Sequence, residues 1–378
     1  MPLRLRTTLL LGTAAATVVN VAFYARPLGR LVRRLAAARG RRNSEANAPP
    51  LSIVMAARNE EANLRAGLPG VLAQAYPGDL EVVVTDDASA DDTPGVLAQA
   101  AQEYRGLRVA TVTEKRSPGK KAALALAIET ARHDWLLATD ADCRPATERW
   151  AETMMRARES ATTLVLGYGP YRRRAGWLNA WIRYETVYTA AQYFSAALAG
   201  RPYMGVGRNL LYHRSLYDGV GGFAAHAHLA GGDDDLLVNA AASAKTTAIC
   251  LARAAWVYSE PKRTWRGYLR QKTRHLSVSH AYRPSDQAWL SALAASHLGH
   301  YAGTAALLAA GAWPWALGLY LGRQAVVATR MRAVTRGLGA DDLAAGVPLL
   351  DAGVALYYLG FGIQAAWHAV SGARVREW

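Results

Sequence analysis

The chain opens on an uncharged apolar run at residues 7–25, bounded by Arg6 and Arg26. Its 19 residues would measure ~28 Å as a helix, close to one hydrocarbon core. Arg26, Arg30, Arg33, Arg34, Arg39, Arg41 and Arg42 follow, where a cleaved signal would end in small residues. Basic residues past an apolar span mark its cytoplasmic side. The expectation is an anchor in the inner (cytoplasmic) membrane with the next domain in the cytoplasm. From Leu51 the period changes, after a short linker at 43–50. Apolar strand patterns at 51–57, 80–85, 107–112 and 135–139 alternate with helical patterns at 60–75, 91–104 and 120–132. That alternation predicts an α/β domain with a mostly parallel sheet and helical crossovers.

Farther along, residues 177–198 predict a long apolar helix, either core or lying along a membrane surface, the latter favoured. Residues 202–211 are rich in glycine, and residues 265–281 form a basic amphipathic segment suited to an interface. No Asp, Glu, Lys or Arg occurs across the 35 residues of 288–322. That stretch predicts a hairpin of two spans, or one span and a re-entrant turn, with Pro314 in its second half. Arg330, Arg332 and Arg336 suit a cytoplasmic loop, and 347–370 is long enough for a last span despite Asp351. Three C-terminal spans are expected. The domain reading is an anchor at 1–25, a basic juxtamembrane linker at 26–50, a catalytic domain at 51–260, an amphipathic interface region at 261–286 and a transmembrane region at 287–378.

The net charge of +15 adds to this picture, because no nucleic-acid motif accompanies it. Many arginines flank apolar runs, so the basicity reads first as contact with anionic membrane lipids and second as attraction for a polyanionic substrate. Cys143 and Cys250 have no metal-ligand spacing and read as reduced and structural.

Candidate chemistry gathers where the predicted strands end, since parallel sheets bind ligands beyond the carboxyl ends of their strands. One strand ends at Asp86-Asp87, and the apolar run 135–138 stops at Asp140-Ala141-Asp142. Two carboxylates one residue apart can hold a hard cation such as Mg²⁺ or Mn²⁺. Asp233-Asp234-Asp235 form a separate acidic cluster whose mutual repulsion raises at least one pKa, as a general base requires. His226 and His228 precede it, and one of them could add a ligand to a metal site.

Four pieces in order carry a resemblance: Arg58-Asn59-Glu60-Glu61 after a strand, Asp86-Asp87-Ala88-Ser89-Ala90-Asp91-Asp92-Thr93, Gly119-Lys120-Lys121-Ala122-Ala123-Leu124, and Asp140-Ala141-Asp142. Together they resemble glycosyltransferase family 2. The resemblance implies the GT-A (Rossmann-like) fold, a nucleotide-diphosphate sugar donor, a divalent metal and an inverting displacement. It implies that Asp86 and Asp87, with Asn59 or Glu60, hold base and ribose, and that Lys120, or Lys121 beside it, faces the diphosphate. Asp142 becomes the direct metal ligand, and Asp140 a contact to ribose or to metal-bound water. Asp233 or Asp234, according to register, becomes the base. Gln271-Lys272-Thr273-Arg274-His275 resembles the Gln-x-x-Arg-Trp motif of membrane-bound members, with Arg274 pairing the leaving phosphate. His275 in place of tryptophan removes a stacking surface for a growing sugar chain.

The function expected is metal-dependent transfer to a lipid or lipid-linked acceptor at the cytoplasmic membrane face. A processive polysaccharide synthase coupled to export is the alternative, and a non-catalytic membrane scaffold keeping the fold is the alternative of another class. A nucleotidyltransferase would carry a glycine-rich loop after the first strand, where this chain has Ala57-Arg58-Asn59-Glu60.

Overall fold

The structure, a computed structural model, describes residues 3–38, 48–114 and 119–371. Arg39, Arg41 and Arg42 of the basic cluster, and residues 43–47 of the expected linker, lie outside the described residues. Helices α1 (Leu3–Ala25) and α2 (Pro27–Ala38) open the chain. Then β1 (Leu51–Ala57), α3 (Glu61–Leu72), β2 (Leu80–Asp87), α4 (Thr93–Glu103), β3 (Leu107–Val112), α5 (Lys121–Thr130) and β4 (Trp135–Ala138) alternate as the pattern predicts. Next come β5 (Cys143–Pro145), α6 (Trp150–Arg156), β6 (Leu164–Leu166), α7 (Trp177–Leu198), β7 (Leu210–His213) and α8 (Arg214–Asp218). They lead to α9 (Asp235–Ala241), β8 (Thr247–Ile249), β9 (Val257–Ser259) and α10 (Trp265–Leu276). Three long helices follow: α11 (Pro284–Ala309), α12 (Trp313–Gly337) and α13 (Val347–Ser371).

The chain divides into two compact units, one including residues 48–179 and 199–282, the other 3–37, 180–198 and 283–371. The first unit holds a seven-stranded sheet in the order β3-β2-β1-β4-β7-β6-β8. β1, β2, β3 and β4 pair in parallel, as does β6 with β8, while β7 runs antiparallel to both β4 and β6. With its flanking helices, this mixed sheet fits the GT-A fold. Leu51, Ile53 and Met55 of β1 and Val82 and Val84 of β2 pack with Leu64, Leu68 and Val71 of α3 in one core. Register places Ala57 opposite Asp86 and Val54 opposite Ala138. The carboxyl ends of β1, β2 and β4 therefore open toward the same side, each followed by an acidic or amide-bearing turn.

The second unit is helical. A turn at Gly311, whose φ of +71° favours glycine, joins α11 to α12 as a hairpin. Inside it, Arg323 pairs with Asp351 at 2.5 Å, both with fully buried side chains. Arg323 also donates to Asn20 at 2.8 Å, and Tyr301 donates to Asp351 at 2.7 Å. Among the described residues, Arg4–Ala37 is the one helical stretch both long and apolar enough to cross a membrane, and Val347–Ile363 is apolar but shorter. Helix α7 corrects an expectation. Its residues are buried almost all round, which makes it a core helix and not a surface one.

Candidate active site

The loops after β1 and β2 are tied directly to each other. Asn59, held at φ +55°, donates its backbone N–H to Ser89 Oγ at 3.0 Å and accepts from Ala90 N–H at 2.7 Å. Ser89 N–H in turn donates to Asp86 Oδ1 at 3.3 Å. Glu60 N–H donates to Thr93 Oγ1 at 2.8 Å, and Glu61 N–H to Asp91 at 3.1 Å. Asp86 and Asp87 are buried at the end of β2. The Asn59 amide oxygen thus braces one loop against the other, and Asp86 sits beneath that brace.

Asp140 and Asp142 lie just beyond β4 on a turn closed by the Cys143 N–H to Asp140 C=O bond of 3.0 Å. The turn, more than strand alternation, brings both carboxylates together. Lys120, at the start of α5, bonds Asp140 Oδ1 and also reaches Asp233 Oδ2 at 3.0 Å. Burial alone would raise the Asp140 pKa, but the Lys120 ammonium holds it below its ordinary value. Asp142 moves the other way, raised by burial and by the Asp140 charge. Burial likewise raises Glu60, with the charges of Asp142 and Asp140 adding to it.

Lys121 takes a different path. Its ammonium is buried and donates to the backbone carbonyls of His226 at 2.5 Å and Leu229 at 3.0 Å. It anchors the loop leading to Asp233 and leaves the site to Lys120. Gly119 makes this possible: φ is +70°, and a Cβ there would lie 2.1 Å from the Ala230 carbonyl oxygen.

The three adjacent aspartates have separate surroundings. Asp234 caps α9, accepting from Asp235 N–H at 2.8 Å and from Gly207 N–H at 2.7 Å. Burial and then Asp233 push its pKa up to about 6. Asp235 accepts from Leu236 N–H at 2.8 Å and from the Tyr282 hydroxyl at 2.7 Å. Burial and Asp234 push it up to about 8. Asp233 has Lys120 on Oδ2, and its Oδ1 accepts no hydrogen bond among the described residues.

Gln271, on α10, donates to the Tyr171 hydroxyl at 3.3 Å. Arg274 is exposed on the same helix, and its charge helps to lower Asp140. Tyr171 carries a group the sequence reading did not single out: the Arg208 guanidinium stacks over its ring at 4.6 Å. Thr139 Oγ1 donates to the Arg208 carbonyl at 3.0 Å, and the Arg208 charge lowers both Asp140 and Asp142. A cation inside the glycine-rich loop 202–211 was the available signal. Tyr282, held against Asp235, had none.

The donor set suits a hard divalent cation. Ligand atoms of Asp140, Asp142 and Cys143 lie within 4.8 Å of one another, the sole such group among the described residues. Burial and the two carboxylates raise the Cys143 thiol well above its ordinary pKa. The thiol bonds Asp142 at 3.3 Å and Ser259 at 3.0 Å, and the two carboxylates are the oxygen donors that a hard cation prefers. His226 and His228 do not join this group. Cys250 is likewise a buried free thiol.

A family model described as "Glycosyl transferase family 2" matches residues 52–221. Over 101 residues the chain is 35% identical to a beta-monoglucosyldiacylglycerol synthase of Trichormus variabilis, covering 26% of this chain and 22% of that protein. A synthase of the same name from Synechocystis sp. is 36% identical over 95 residues, 25% of this chain and 20% of that protein. The matched stretch thus spans about a fifth of the length of these curated relatives. Among solved structures, a mannosyltransferase from Pyrobaculum calidifontis in complex with GDP-Man and Mn2+ shares the fold. It has a TM-score of 0.55 and 22% identity, over 90% of this chain and 99% of that one.

Proposed function

We propose that this chain, whose residues 52–221 match the family 2 glycosyltransferase model, transfers a sugar with inversion from a nucleotide-diphosphate donor to the hydroxyl of a lipid or lipid-linked acceptor. The observation that carries the reading is the shared ammonium of Lys120, bonded to Asp140 and to Asp233. Donor-side and acceptor-side carboxylates stand within one side chain's reach, as a single displacement needs.

In that displacement the acceptor oxygen attacks the anomeric carbon and gives its proton to Asp233. The bond from that carbon to the phosphate oxygen breaks, and its electron pair leaves with the nucleoside diphosphate. Asp233 serves as base because Asp234 already accepts two backbone N–H bonds and Asp235 is held by Tyr282. Lys120 and Arg208 supply positive charge beside the leaving group, and Arg274 adds more from α10. Asn59, Glu60, Asp86 and Asp87 line the side where base and ribose bind, with Gln271 steadying Tyr171 under Arg208. Asp142, with Asp140, would hold a Mg²⁺ or Mn²⁺ ion, which as a Lewis acid neutralises the diphosphate.

A lipid acceptor is favoured by the exposed apolar face of α10, where Trp265, Leu269 and Leu276 stand beside Arg266 and Arg270. The name of the curated relatives points the same way. We read α1 as a membrane anchor and α11, α12 and α13 as C-terminal spans, with the catalytic domain on the cytoplasmic face, where Arg26, Arg30, Arg33 and Arg34 lie. The test is a screen of donor sugars in nanodiscs, reading released nucleoside diphosphate against a panel of membrane lipids. A single added sugar on lipid is expected. No release with any donor, with or without Mn²⁺, overturns the reading, and a ladder of products moves it to a polymer synthase.

A further inference from the structure

We infer that Arg33 and Arg330 form a binding site for the phosphate of an anionic phospholipid headgroup. The site lies over Gly29 in α2. A side-chain carbon at that glycine would stand 3.8 Å from the Arg33 guanidinium and 3.9 Å from that of Arg330. Two like charges thus converge on one gap, and neither makes an ion pair or a hydrogen bond among the described residues. The buried Arg323 and Arg183 of the same unit are matched, with Asp351 and with Asp342 at 2.7 Å, as is Arg332 with the Ala344 carbonyl at 3.1 Å. Repulsion across the gap is relieved by an anion that both forks can hold, and phosphate has the required geometry.

The position argues for a lipid as its source. At the opposite end of α12, Arg6 lies 3.9 Å from where a side chain would begin at Gly311. The stretch α1–α2 and helix α12 therefore run side by side in the same direction. From Trp313 to Arg330, α12 rises ~26 Å, close to one hydrocarbon thickness. Between these two levels the exposed apolar side chains include Leu11, Val18 and Val19 on α1, and Trp313, Trp315, Leu317 and Leu321 on α12, with Arg26 and Arg30 exposed at the Arg33 end. Arg33 and Arg330 stand just past that belt, where headgroup phosphates lie. Leu28, Leu31 and Leu35 fix α2 through its buried face while Arg30 and Arg33 remain exposed.

The inference rests on reading this unit as membrane-spanning, so the test separates the two. The full chain is purified into nanodiscs of phosphatidylcholine with a minor share of phosphatidylglycerol, and retained lipid is counted by native mass spectrometry. Enrichment of phosphatidylglycerol of about tenfold over its bulk share is expected from two arginines at the surface. The double variant Arg33→Gln/Arg330→Gln should return it to the bulk share. So should Gly29→Leu, which fills the gap and changes no charge, while Arg26→Gln should keep it. Equal enrichment in wild type and Gly29→Leu would overturn the site in favour of diffuse attraction. Displacement of the lipid by millimolar inorganic phosphate would overturn the lipid assignment. Release of the chain from membranes by alkaline carbonate would overturn the spanning reading and the site with it, whereas a chain that stays but enriches no anionic lipid overturns the site alone.

Discussion

The Lys120 ammonium lies 3.0 Å from Asp233 while it also bonds Asp140, so one cation holds carboxylates from two distant parts of the chain. Its neighbour Lys121 holds only backbone carbonyls. The adjacent lysines therefore have separable roles. Lys120→Met should lower kcat/KM by roughly 10²–10³, the usual cost of removing one charge-stabilising donor from an active site. Its Tm should change little. Lys121→Met should do the reverse, leaving two carbonyls without their donor at a cost of about 1–3 kcal/mol. Turnover assays and thermal unfolding of the two variants, side by side, check this; matching profiles would refute the division.

Metal dependence should reside in Asp142. Asp142→Ala should abolish the gain in nucleoside-diphosphate affinity on adding Mn²⁺, measured by titration calorimetry. Cys143→Ser should keep that gain, because a hard cation prefers the two carboxylates and the thiol already bonds Asp142 and Ser259. Loss of the gain in Cys143→Ser would show that the thiol does coordinate.

Asp233→Asn should bind donor normally and lose transfer, since only the proton acceptor is removed. Asp234→Asn should cost stability first, through the α9 cap and the Gly207 contact. Single-turnover assays with prebound donor distinguish them. Transfer that survives in Asp233→Asn but not in Asp234→Asn would move the base by one residue.

Much of this site was legible in the chain because β1, β2 and β4 are apolar runs that stop at polar turns, which fixes where a parallel sheet binds. The half of the sheet beyond β4 was not legible: β6, β7 and β8 have three or four residues each, too few to display a period. The choice between Lys120 and Lys121 was hidden for another reason. Neighbours on a helix point about 100° apart, and which direction meets the acids depends on the loop at Ala230, which presses on Gly119. The burial of α7 was hidden too, since an apolar helix reads the same in a core and on a membrane. The separate place of Asp235 was hidden as well, because it depends on the Tyr282 hydroxyl that holds it.

The burial of Asp235 sets a pH dependence. Asp235 is pushed up to about 8 by burial and the Asp234 charge, from an ordinary value of 3.8. Between those values the folded state binds a proton that the unfolded state has released. Stability therefore falls as pH rises, with the contribution fully present below about 4 and lost as pH passes through about 8. Asp234, pushed up to about 6, adds the same sign over a narrower window. Other carboxylates, Asp140 among them, act in the opposite direction, so the difference between two proteins is the useful reading. Asp235→Asn cannot ionise and still presents a carbonyl oxygen to the Tyr282 hydroxyl. Plotted against pH from 4 to 9, the Tm of wild type relative to this variant should decline steadily. A flat difference would mean that Asp235 is already ionised in the folded protein, and that the Tyr282 hydrogen bond is made to its carboxylate.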